Sequence, residues 1–417
     1  MNTSSCKPTR GQFIAGTAAA AASTFASVNV IAAPAKEIVI GLNVPQSGPY
    51  SDQGTDQLRA YNLAIDEINK AGGVMGMPIR AVVGDDETKA PVAVANARRM
   101  IERDGAVMIT GGSSTGTAVA VSGLCQEKKT IFMATLTHGD ETTDASCHRH
   151  TFRRYNNARM SAHSLARTLT TKYGTGKWFY ITADYTWGHS VYDNLTAILE
   201  AKGAKTVKNI LVPLGTTDFS SQLGQAQAAK PDVVVLIEFG KDMVNSLNQA
   251  AQFGLTKSTK ILVPLADEYM AKGTGDNFDN VVTTAPFYWK YHAEKYPAAK
   301  KFVSAFQAKY GIPPSNGAEC AYTNIYQWKG GIERAGGLDP EKFIDKMEGF
   351  KFQATKEPGE YWRAFDHQGI NSCLVLEGLS VAERAGDTFS FAKVLEVHNG
   401  DDVAIPQSAS KCKLEPA

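Results

Sequence analysis

The sequence predicts an α/β protein of two Rossmann-like lobes with parallel sheets, and three observations carry that reading. Short apolar runs alternate with segments of helical periodicity along most of the chain. The alternation comes as two separate series. About 380 residues remain once an N-terminal leader is set aside, more than one hydrophobic core usually supports.

The leader comes first. Residues 1–35 carry Lys7 and Arg10, an Ala-rich apolar run from Phe13, and then Ala33-Pro34-Ala35, the small-residue pattern a signal peptidase accepts. Cleavage is expected after Ala35, since a cut after Ala33 would leave Pro34 immediately beside it. Thr9-Arg10-Gly11 has glycine where a twin-arginine signal needs its second arginine, so the export route stays open. Cys6 lies upstream of the apolar run, where no lipid-attachment signal would place it. The expected product is a soluble periplasmic protein.

The first series of strands is EIVIGLNV, PIRAVVGD, AVMITGG and TIFMAT, separated by helical patterns near 55–71, 91–103 and 117–128. The second is KWFYITAD, KTVKNILV, DVVVLIEF and KILVPL, with helical stretches near 158–173, 189–202, 219–229 and 242–253. Strict alternation implies parallel strands, because right-handed crossovers leave the helices on the sheet faces. No long linker or low-complexity tract separates the series, so short crossings should join the lobes.

Charge and cysteine content narrow the function. Forty-three basic residues stand against forty-two acidic ones without long runs, which leaves no electrostatic footprint for nucleic acid or an anionic membrane. Five cysteines follow the leader, and an oxidising compartment lets them pair. We expect Cys125 with Cys147 and Cys373 with Cys412, leaving Cys320 as a buried free thiol. None of the spacings resembles a zinc site, and His148-Arg149-His150 reads as a polar loop, so neither metal nor cofactor is expected.

Ligands of open α/β sheets sit beyond the carboxyl ends of the strands. Three turns occupy that position. Pro45 to Gly54 joins the first strand to an amphipathic helix; Ser113-Ser114-Thr115-Gly116-Thr117 puts hydroxyls and free amides at a positive helix terminus; and Thr135-Leu136-Thr137-His138 offers hydroxyls on the neighbouring strand. Helix capping is the other role open to each hydroxyl. Together they form a candidate carboxylate cradle.

The SGPYSDQG turn, GGSSTGTAVA, ATLTHGDE, Ala183-Asp184-Tyr185-Thr186-Trp187-Gly188 and the late GEYWRAFDHQG segment resemble, in order, the branched-chain amino acid-binding (Leu/Ile/Val-binding) family of periplasmic proteins. These are solute-binding components of ABC importers with the type I periplasmic-binding fold. The resemblance implies two lobes joined by a three-segment hinge, placed near Phe152–Asn156, Thr283–Phe287 and Gly359–Asp366. Lobe I would then comprise 36–154 and 288–360, and lobe II 155–287 and 361–417. It also implies a monomer, a small-molecule solute and membrane permease subunits as partners.

Carried over residue by residue, Ser114 and the Thr135 and Thr137 pair look like the carboxylate holders, and Thr115 of the same turn is a further candidate ligand residue. Trp187 and Phe239 fall at aromatic positions of the second lobe, with Tyr185 nearby; Gln53 and Tyr50 face the ligand side chain from the first. One departure matters. Amino-acid binders of this family carry an acid after the strand corresponding to KILVP, to pair with the α-ammonium, and this chain has Leu265. A buried ammonium without a counter-charge is costly, which argues against an α-amino acid, although Glu238, Asp267 and Glu268 are close enough in sequence to substitute. The expected ligand is an aromatic or arylalkanoic acid; a branched-chain or other hydrophobic amino acid is second, and an amide third.

An enzyme lacks its anchors: there is no Gly-x-Ser-x-Gly elbow, His-Glu-x-x-His, Walker loop or Gly-x-Gly-x-x-Gly after the first strand. A ligand-sensing domain for a separate receptor shares this fold and is the alternative of another class.

Overall fold

The structure is a computed structural model that describes residues 37–414. The expected leader and its cleavage point lie outside the described residues, among which no helix is long and apolar enough to cross a membrane.

The first lobe opens with β1 (Ile38–Val44), α1 (Ser51–Lys70), β2 (Ile79–Asp85), α2 (Ala90–Glu102), β3 (Met108–Gly111), α3 (Thr115–Glu127), β4 (Ile131–Ala134) and β5 (Thr151–Arg153). Its five strands run in the order β2-β1-β3-β4-β5, all parallel. The second lobe follows with α4 (Ala158–Tyr173), β6 (Lys177–Ala183), α5 (Thr186–Glu200), β7 (Lys205–Val212), α6 (Ser220–Ala229), β8 (Val233–Ile237), α7 (Lys241–Gln252), α8 (Leu255–Ser258), β9 (Lys260–Val263), α9 (Glu268–Thr274) and β10 (Val282–Ala285).

The chain then returns to the first lobe through α10 (Trp289–Lys295), α11 (Pro297–Tyr310), α12 (Asn316–Ala335) and α13 (Pro340–Met347). A small antiparallel sheet of β11 (Lys351–Phe352), β12 (Glu360–Trp362) and β13 (Gly369–Ile370) leads out again to β14 (Cys373–Gly378), β15 (Ala392–His398) and α14 (Gly400–Val403). The second sheet is seven-stranded, in the order β15-β14-β10-β9-β8-β6-β7.

Burial explains the strand types. β1 and β8 are covered on both faces and are buried at every position, as continuous apolar runs should be. The edge strands β2 and β7 are mixed in exposure. β14 and β15 are antiparallel, against the parallel expectation, and they sit at the edge where no crossover helix is needed.

Each lobe has its own core, built around Phe152, Trp328 and Trp362 in the first and Trp178, Phe179 and Leu236 in the second. Where the chain passes between lobes the interior turns polar. Arg154 is buried between Glu319 (2.7 Å) and Glu360. Burial alone would raise the Glu319 carboxyl, but Arg154 and Lys356 hold it down at about 2. The third crossing lies further along than expected: Trp362 still belongs to the first core, and the strand entering the second sheet begins at Cys373.

The disulfide expectation is corrected. Cys147 bonds Cys412, with Cα atoms 5.6 Å apart, while Cys125, Cys320 and Cys373 are buried free thiols. Cys125 faces inward from α3 into the first lobe, and Cys373 packs with Met160 and Ile370. The C-terminal tail instead runs back to the 140–148 loop, where the Lys411 amide and the Ser410 hydroxyl donate to Asp144 Oδ1.

Candidate ligand-binding site

The carboxyl ends of β3 and β4 face those of β6, β8 and β9 across a cleft. β3 ends in Gly111 and Gly112 follows it, with φ of 126° and 77°. A side chain on Gly111 would start 1.9 Å from the Asn43 carbonyl oxygen, so only glycine lets the chain turn here into α3. Ser113 then faces the cleft, and Ser114 caps the helix in a reciprocal box with Thr117.

The turn arranges two hydroxyls in the same way. Ser113 Oγ accepts from Gln57 Nε2 at 2.9 Å, and the orientation of that amide is set by a second bond to the Gln53 carbonyl oxygen, which can only accept. Thr115 Oγ1 accepts from the Gly139 amide at 2.9 Å. No acceptor among the described residues takes either hydroxyl proton, so both are left to donate. They stand beside the first-turn amides of α3, where the helix dipole favours negative charge.

The rest of the site is apolar. Ser113 and Thr115 line a narrow pocket with Leu136 and His138 from the first lobe and Tyr185, Trp187, Phe239 and Leu265 from the second. Phe239 meets Tyr50 and Trp187 edge-on, with ring centroids 5.3 and 6.2 Å away. His138 accepts the indole N–H of Trp187 on Nδ1 at 2.7 Å. Among the described residues no carboxylate lines the pocket.

The remaining expected residues have other partners. Ser114's hydroxyl is engaged in capping α3. Thr135 is tied to Tyr61 at 2.6 Å and Asn324 at 2.8 Å, and Thr137 to Thr142 at 3.2 Å, so both threonines bond inside the first lobe. Glu238 is buried beneath the cleft, accepts from Ser246 Oγ at 3.0 Å, and is pushed well above the usual carboxylate range by burial. Asp267 caps α9 through Oδ1 and accepts Gln53 Nε2 on Oδ2 at 2.9 Å. Glu268 is buried without a donor to either oxygen among the described residues.

Ser113, Leu136 and His138 were not among the expected ligand residues. Periodicity could not have found Leu136 and His138, because β4 ends at Ala134 and Leu136 turns with a left-handed φ of 53°.

The lobes are shut on each other. Besides Gln53 with Asp267, Tyr50 and Tyr185 share a hydrogen bond, Tyr269 donates to Asp56 at 2.7 Å and accepts from Arg59 at 3.1 Å, and Lys241 Nζ reaches Ser51 Oγ at 2.8 Å.

Two sheets hinged around a cleft lined by hydroxyls and aromatic rings define a two-lobed solute-binding protein. The chain belongs to the periplasmic binding protein family, whose match spans residues 37–381. It is 27% identical over 370 residues to "Leu/Ile/Val-binding protein homolog 7" of Brucella abortus (strain 2308), covering 85% of this chain and 92% of that one. A periplasmic binding protein from Burkholderia mallei superposes with a TM-score of 0.84 at 26% identity, over 91% of this chain and 99% of that one. A solute-binding protein of an ABC transporter from Rhodopseudomonas palustris, solved with benzoate, shares the fold alone: TM-score 0.78 at 20% identity, covering 91% and 100%. The protein is therefore an ABC-transporter solute-binding protein, with a small-molecule ligand and permease partners, and not an enzyme.

Proposed function

We propose that the protein captures a small monocarboxylate with an aromatic or apolar body, first an aromatic or arylalkanoic acid, and delivers it to the permease. The observation that carries this reading is the hydrogen-bond polarity of Ser113 and Thr115. Each already accepts a bond, so each presents a donor, and the α3 amides beside them are donors too. A carboxylate satisfies such a pole, whereas an ammonium does not. The rest of the lining includes Trp187, Phe239 and Leu265 and, among the described residues, no counter-charge. Closure of the lobes then buries the ligand and shapes a composite surface for the permease. We also propose export with cleavage after Ala35, which the N-terminal mass of the secreted protein would check.

A hydrophobic or branched-chain amino acid is the second reading. It is favoured by Gln53 Oε1 and Gln57 Oε1, buried acceptors with no donor among the described residues, and by the name of the Brucella relative. Calorimetry on protein refolded to strip carried-over ligand separates the two. Benzoate and phenylacetate should bind and leucine should not, and Ser113→Ala with Thr115→Val should weaken acid binding by about 10-fold or more. Unchanged affinity in the double variant would reject the cradle; binding of leucine alone would establish the second reading.

A further inference from the structure

His138 is carried by the first lobe, in the turn after β4, yet both ring nitrogens bond groups of the second. Nδ1 lies 2.7 Å from Trp187 Nε1 on α5, and Nε2 lies 2.8 Å from Ser161 Oγ on α4. An indole N–H can only donate, so Nδ1 must hold a lone pair and the imidazole proton must sit on Nε2. Ser161 in turn contacts Thr284 Oγ1 of β10 at 2.8 Å, and that hydroxyl donates to the Pro264 carbonyl at 2.6 Å.

From this geometry we infer that His138 is the cross-lobe positioning residue of the site: as a neutral Nε2-H imidazole it fixes the Trp187 ring against the ligand, and it can do so only when the lobes are shut. The inference rests on the closure reading above but not on the identity of the ligand. Trp187 then has no donor left for the ligand and acts as an aromatic wall alone, which sharpens selection for apolar bodies.

A charged imidazole would place an N–H against the indole N–H, so closure requires the neutral ring. The surroundings agree. Burial lowers the His138 pKa to about 3, and the charge of Arg153 on β5 adds to it. Tyr155, Trp187 and Ser161 are the other groups against the ring, and the following Asp140 and Glu141 act on Arg153. Opening returns the ring to water, where imidazole titrates near its ordinary value of about 6.5. Acid therefore favours the open form through this residue, while buried carboxyls with raised pKa values, such as Asp267, act in the opposite sense.

The test reads the indole directly. Protein labelled with ¹⁵N at its indoles, with Trp187 assigned by Trp187→Phe, is compared free, with benzoate and with leucine, while calorimetry reads ligand choice separately. His138→Asn keeps an acceptor near the Nδ1 position and cannot titrate; His138→Phe keeps a ring and removes the acceptor. A downfield Trp187 N–H signal in any sample, retained in His138→Asn, lost in His138→Phe, and lost on acidification to pH 5 more readily in wild type than in His138→Asn, is the expected result. No downfield signal in any sample, or one that survives His138→Phe, would overturn the assignment. Should His138→Phe not fold, identical pH titrations of wild type and His138→Asn would overturn it equally.

Discussion

The phenol oxygens of Tyr50 and Tyr185 lie 2.7 Å apart and join the turn before α1 to the turn before α5 across the cleft. Tyr50 is buried and Tyr185 half-buried, and desolvation keeps both hydroxyls protonated far above neutral pH. The bond exists only in the closed form, so it contributes to ligand affinity through closure. Tyr50→Phe and Tyr185→Phe should each weaken binding by about 2–10-fold, the range of one neutral hydrogen bond. The double variant should lose little more than either single one, because either change removes the shared bond. Additive losses in a calorimetric double-mutant cycle would mean that the two hydroxyls act through separate partners.

Gly240 has φ 61° and ψ −133°, a conformation that side chains resist, and it closes against the first lobe. A Cβ here would lie 2.8 Å from both the Pro49 carbonyl oxygen and Tyr50 Cδ1. Gly240→Ala should therefore hold the lobes apart. Small-angle scattering with a binding ligand present should give the variant a larger radius of gyration than wild type. A radius matching the closed wild type would show that the 49–50 turn yields instead.

The tail adds a covalent link that the three chain crossings do not supply. α14 packs on α4 in the second lobe, and eight residues beyond Ala404 the chain is bonded through Cys412 to Cys147 in the first. On the way, Arg363 donates to the Ile405 carbonyl at 2.6 Å. Cys147→Ala with Cys412→Ala removes a constraint closing a very long loop, and about 2–5 kcal/mol of stability should go with it. Urea unfolding of the two proteins checks this, and equal midpoints would show that the tail's other contacts suffice.

The parallel sheets were legible because short β-branched runs such as IVIGLNV and VVVLI alternate with longer segments of helical period; the runs themselves carry no period, and their length and composition mark them as strands. The proposed cradle uses the same Ser-rich turn that the sequence singled out, with Ser113 in place of Ser114. Whether Ser113 or Ser114 faces the ligand depends on which of them becomes the cap, and Ser-Ser-Thr-Gly-Thr allows more than one start for the helix. The disulfide was not legible, since Cys147 and Cys412 meet only because the tail passes between the lobes. His138 was hidden for a related reason: its partners, Trp187 and Ser161, belong to the other lobe.

Asp267 gives the fold a pH dependence whose sign can be worked out. Burial raises its carboxyl to about 6, in spite of the Met270 amide and Gln53, which favour the charged form. Between about pH 4 and 6 the folded protein holds a proton there that the unfolded chain has released, so this contribution to stability is complete below pH 4 and lost as pH rises through 6. The lowered His138, His163 and His292 act oppositely, losing stability as pH falls below their ordinary value of about 6.5. A difference measurement isolates the carboxyl. Asp267→Asn keeps an oxygen for the α9 cap, and its new amide N–H can be accepted by Gln53 Oε1, which has no donor among the described residues, once Gln53 turns over. The variant's unfolding free energy relative to wild type should rise from pH 4 to 6, by on the order of 1–3 kcal/mol, and stay level to pH 7. A difference independent of pH, measured by urea unfolding at each value, would show that Asp267 ionises normally and that the closed lobes leave it wet.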